Sequence, residues 1–130
     1  MMQPEHWNVL TTLCRRPGMF VAPSTFDAVL HFIEGYHHAT GCLSGFREWL
    51  VTQGEDGNNF AWAGLVRHRL RLAGDASDEA WKIERLGEWL HQFHTYVEGF
   101  PSSRDAMLRI YVDYHAWLIK KPWYQPGLPS

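Results

Sequence analysis

Apolar residues recur along this chain three or four positions apart, the spacing of one helical face, and rarely alternate in the two-residue period of a strand. The clearest stretch runs from about Ser77 to Gly99. Ile83, Leu86, Trp89, Leu90, Phe93, Val97 and Phe100 fall on one face, and Glu84, Glu88, His91, Thr95 and Glu98 on the other. A second stripe, Phe26, Val29, Leu30, Ile33 and Tyr36, follows Ser24, whose hydroxyl can cap a helix, with Asp27 three positions on. Gly41 ends that helix, leaving it the span Ser24 to Thr40. Further helices are expected over Pro4–Arg15, over about Leu43–Gln53 with Phe46, Trp49 and Leu50 inward, and from Asn58 or Asn59 to Ala73. The last should run from about Ser102 to just before Pro122. It is apolar nearly all round, from Met107 and Leu108 to Leu118 and Ile119, which predicts a central helix covered on several sides.

Between the first two helices lies Arg15-Arg16-Pro17-Gly18-Met19-Phe20. Pro17 disfavours the helical region at Arg16, so the first helix should stop there. Gly18 is able to take positive φ and turn the chain, and Met19 and Phe20 should then carry it back towards a core. Residues 54–58 are loop by composition. The tail, residues 122–130, is too rich in Pro and Gly for regular structure, with Trp123 and Tyr124 expected to tuck against the body. With no repeat and no dividing linker, the chain reads as one all-α domain, residues 1–130: a bundle of about six helices with an extended Pro-rich C-terminal tail.

Seven Trp, seven Phe and five Tyr give ample apolar surface for a core, which excludes a disordered chain. A net charge of −2 is too balanced for a nucleic-acid coat, and no direct nucleic-acid contact is expected. The basic edge Arg67, His68 and Arg71 would bind such a polymer only weakly. No apolar stretch is long enough to span a bilayer, and the N-terminal residues MMQPEHWNVL lack the basic-then-apolar order of a signal peptide. Cys14 and Cys42 show no paired spacing. A reduced, cytoplasmic protein without a disulfide is expected, with no membrane partner.

Eight histidines raise the question of a metal. Two Glu-x-x-His pairs occur, Glu34 with His37 and Glu88 with His91, the spacing used in di-iron bundles. Those sites face a bundle core, yet Glu88 and His91 lie opposite the apolar stripe and Glu34 lies with Asp27, His31 and His38 on a polar side. His31, Glu34 and His38 share a face but lack a fourth ligand. His94 leans towards the apolar side of its helix. His115, beside Tyr111 and Leu118, reads as a buried neutral imidazole. No nucleophile elbow or phosphate loop occurs, neither cysteine has an activating neighbour, and Asp113 and His115 point apart on their helix. No catalytic residue, metal or cofactor is expected. The surviving feature is an acidic stripe, Glu84, Glu88 and Glu98, with Asp78 and Glu79 at the helix start and Glu55 and Asp56 in the loop. Such a stripe suits a partner with a basic cleft.

The RRPGMF turn precedes FDAVLHFIEGYHHAT, in which Val29, Phe32, Ile33, Gly35, Tyr36 and Ala39 fill the pattern [LV]-x-x-F-[IL]-x-G-Y-x-x-A. FREWL and NFAWAGLV follow. This first half resembles a group of small helical bacterial proteins, the immunity proteins of contact-dependent inhibition and related polymorphic toxin systems. The resemblance implies a helical antitoxin that binds and occludes a cognate toxin domain, by analogy an RNase. Gyrase-type ATPases share a similar turn, but the matching Asn and the D-x-G-x-G that hold their nucleotide are absent here. The competing class is a small metal-binding helical protein or enzyme built on the His/Glu pairs.

Overall fold

A computed structural model describes residues 4–54, 58–74 and 77–124. Among the described residues six α-helices form the bundle: α1 (Pro4–Arg15), α2 (Phe26–Thr40), α3 (Phe46–Gly54), α4 (Trp62–Ala73), α5 (Glu79–Glu98) and α6 (Ser103–Leu118). There is no strand among the described residues. The loop residues Glu55 and Asp56, and tail residues 125–130, lie outside them.

Local chemistry sets the helix ends. α1 stops at Arg15 because Arg16, preceding Pro17, leaves the helical region at φ −137° and ψ 65°. Pro17–Met19 then make one 3-10 turn, closed by the Phe20 amide on the Pro17 carbonyl. Gly18 therefore needs no positive φ, contrary to expectation. What it supplies is space, since a Cβ there would lie 3.3 Å from Ser24 Oγ. Phe20 does return to the body, edge-on to Phe32 at 5.6 Å, but Met19 is 66% exposed. The chain passes through a cis Ala22–Pro23 bond before α2. Thr25, not Ser24, caps α2 by accepting the Ala28 amide, and Gly41 closes it in the left-handed region at φ 70°. Asp78 caps α5 through Trp81 N–H, and Ser102 caps α6 through Asp105 N–H.

α4 begins at Trp62, later than expected, because Asn58 serves elsewhere. Arg47 donates to the carbonyls of Phe60 (2.7 Å) and Asn58 and to Glu48 (3.1 Å), and the Tyr114 hydroxyl donates to Asn58 Oδ1. This ties α3, the 58–60 turn and α6 into one polar clamp. The Ala61 N-cap of α4 carries no side-chain bond.

The centre of the bundle is α5, not α6. α1, α2, α4 and α6 all pack on α5, whereas α6 rests on α3 and α5. Phe93 of α5 meets Phe46 at 5.2 Å and Trp49 at 5.6 Å. Burying each such side chain contributes about 1.5–3 kcal/mol. α6 buries only Ala106, Ile110, Tyr114 and Leu118, while Leu108, Tyr111, Val112 and Ile119 face outward. Its all-round apolar composition thus reflects one face spent on the core and a second left open. His115 is exposed on that open side, edge-on to Tyr124, so the expectation of a buried imidazole is corrected. Tyr124 is half-buried against the core, whereas Trp123 is 56% exposed with only an edge on Trp117.

Candidate functional site

α1 and α5 pack closely because Gly87 has no side chain: a Cβ there would lie 3.0 Å from the Cβ of Cys14. Where the helices diverge from this contact they leave two depressions, of about 290 and 710 Å³, which share Cys14, Arg15 and Glu84 and so form one groove. Its floor is apolar, with Leu10, Leu90 and Ile83. One end is walled by Trp7, which stacks on His94 at 4.3 Å and 6° and leans on His91 at 5.8 Å. The other end reaches Pro17 and Ser24 at the 3-10 turn. Volumes of this size are those of small-molecule pockets and also admit a side chain of a partner.

The polar groups around the floor are few. Glu84 and Glu88 are exposed on the α5 lip and Glu79 stands at the turn end, while Arg15 faces them from α1. Thr11 Oγ1 is buried in the groove without a hydrogen-bond partner among the described residues. An unpaired buried hydroxyl is a cost of about 1–3 kcal/mol that a bound donor or acceptor relieves. Burial pushes the Cys14 thiol up to about 12, so at neutral pH it is protonated and supplies no nucleophile. Both cysteines are free thiols.

The expected acidic stripe is partly committed within the fold. Asp78 is the α5 cap. Glu79 pairs with Lys82 and accepts the Phe26 amide at 3.2 Å, which together hold its carboxyl below the usual range and pin α2 to α5. Glu88 pairs with Arg85 at 3.1 Å and Glu98 with His94 at 3.2 Å. These pairs are at least partly exposed and leave both acids accessible. Glu84 is exposed on the groove lip. The structure therefore brings Glu79, Glu84 and Glu88 to one groove and sets Glu98 a turn beyond His94. The groove itself was not foreseen; only the Gly87 gap in the polar face of α5 signals it in the sequence.

The basic edge of α4 is also changed. Arg67 bonds Asp27 at 2.6 Å and lies over the Phe26 ring, and His68 packs on Phe60 at 5.1 Å, so of that trio Arg71 is the exposed one. Arg67 in turn lowers the Asp27 carboxyl, chiefly through that bond. Of the histidines, His37 accepts the Leu43 amide on Nδ1 at 3.0 Å, fixing the α2–α3 turn. His6 bonds the Tyr36 hydroxyl at 2.7 Å, joining α1 to α2. Among the described residues, no group of three or more His, Cys, Asp or Glu side chains is placed to hold a metal ion. Nor is any helix there long and apolar enough to cross a membrane. No protein-family model, curated protein or solved structure matches the chain.

Proposed function

We propose that this protein is an immunity-type inhibitor, a helical body that docks on a toxin domain and covers its working surface. The observation that carries the reading is the α1–α5 groove, an apolar floor with Glu84 and Glu88 on its lip. A partner presenting an apolar side chain flanked by Lys or Arg fits such a groove. Basic flanks are what a domain that grips RNA must expose, so an RNase-type toxin is the target class we favour. The carboxylates would speed encounter and the apolar insertion would set residence time. The RRPGMF turn and the G-Y helix resemble those of immunity proteins, and the turn forms the far end of the groove. A cytoplasmic location follows from this role.

On this reading the gene immediately upstream should encode a protein with a toxic C-terminal domain, and the test uses that domain. Purified domain and this chain should form a stable 1:1 complex in size-exclusion chromatography. Glu84→Lys with Glu88→Lys should slow association by about tenfold or more at low salt, while loss of the exposed Arg85–Glu88 pair costs stability no more than about 1 kcal/mol. An unaltered association rate removes the groove lip from the interface, and absence of a complex refutes the proposed function.

A further inference from the structure

Four carboxylate or guanidinium side chains border the α1–α5 groove: Arg15, Glu79, Glu84 and Glu88. Two of them are matched inside α5, Glu79 by Lys82 at 2.5 Å and Glu88 by Arg85 at 3.1 Å. That leaves one charge of each sign without a partner among the described residues, Arg15 on the α1 lip and Glu84 on the α5 lip. Both are exposed, both line each of the two depressions, and they form no ion pair with each other. The floor that they flank, Leu10, Ile83 and Leu90, is apolar.

On the reading that this groove receives a toxin domain, the segment that enters it cannot be basic throughout. A segment with only Lys or Arg around its apolar side chain would set a cation against Arg15. It would also leave that guanidinium without an acceptor as water is expelled. We infer that the entering segment carries an acid as well as a base, with the apolar side chain between them. The base meets Glu84 and the carboxylate meets Arg15, whose planar fork can hold a carboxylate at two points. Arg15 is then the residue that orients the guest, because the same segment turned about would meet a like charge on both lips. Arg15 also suits the last turn of α1, where a cation complements the helix dipole. That contribution belongs to the free chain, and binding does not change it.

The test is calorimetric titration of the toxic domain expected from the upstream gene against the parent chain and Arg15 variants with parental circular-dichroism spectra. Arg15→Glu should raise Kd about tenfold or more, although it makes the groove more acidic. Arg15→Lys should recover part of that loss, since it keeps the charge without the two-point grip. A guest basic on both flanks predicts the opposite sign, tighter binding by Arg15→Glu. That result, or an unchanged Kd, overturns the inference while leaving the groove as the docking site. Arg15→Glu combined with Glu84→Arg should bind no better than Arg15→Glu alone. Recovery to parental affinity would mean that the two side chains merely close on each other, and would overturn the inference as well. Absence of any complex with the parent chain removes the proposed function, and this inference with it.

Discussion

Single side chains hold the parts of this bundle in register, and two of them make measurable predictions. Arg47 spans three elements with one guanidinium, donating to the Phe60 and Asn58 carbonyls while lying 5.9 Å from the Tyr114 ring. Arg47→Met should keep the stem packing but strand those carbonyls, costing about 1–3 kcal/mol in urea unfolding. An unchanged midpoint would mean that water replaces the guanidinium freely. His37 predicts a pH effect. Burial lowers its imidazole from the ordinary 6.5, so as pH falls the unfolded chain takes the proton first. Its contribution is complete above that value and is lost as pH drops through the lower folded one. Asp27 and Glu79, also lowered, surrender theirs only below the ordinary carboxylate values of 3.8 and 4.5. His37→Asn, which keeps an acceptor for Leu43 N–H, should flatten the stability slope between about pH 7 and 5 relative to the parent; parallel slopes would contradict the assignment. None of this was legible in the sequence. Asn58 looked like a cap and His37 like half of a metal pair, because both act on residues whose proximity only the fold creates.

Two glycines of opposite worth separate the elements. Gly45, at the start of α3, sits at φ 85°, and a Cβ there would lie 3.0 Å from Met107 Sδ of α6. Gly45→Ala should therefore destabilise by about 1–2 kcal/mol or more. Gly35 lies within α2, and a Cβ there would meet nothing within 4 Å. Gly35→Ala should stabilise by about 0.5–1 kcal/mol. Thermal unfolding of the two variants reads both signs, and equal shifts would refute the distinction. The helices themselves were legible, because their apolar stripes and end residues state the 3.6-residue period plainly. Their ranking was not. α5, with a clean polar face, is the hub, since its half-buried flanks Trp81, Trp89 and Tyr96 widen the surface that neighbours cover. α6, greasier, lies at the side. Composition counts apolar residues, but only topology decides which face finds a neighbour.

For the whole molecule, the division of surfaces is the functional argument. The buried residues form one connected cluster, with no buried polar or charged residue among those described. What remains outside is a groove with acid at its lip and, along α6, the exposed side chains of Leu108, Tyr111 and Val112. The acidic residues Glu84 and Glu88 were visible in the sequence as a stripe; the groove they border was not, because it needs the Gly87–Cys14 contact to set where α1 leaves α5. Filling that groove tests the account at its centre. Thr11→Trp should occupy the apolar floor, retain the helical circular-dichroism spectrum, and abolish inhibition. The decisive measurement is growth of cells expressing the toxic domain that the proposed function expects the upstream gene to encode, together with the parent chain or with Thr11→Trp. Rescue by the parent and death with the folded variant is the predicted result. Equal rescue by both, or none by the parent, would contradict the claim that this groove is where the protein meets its target.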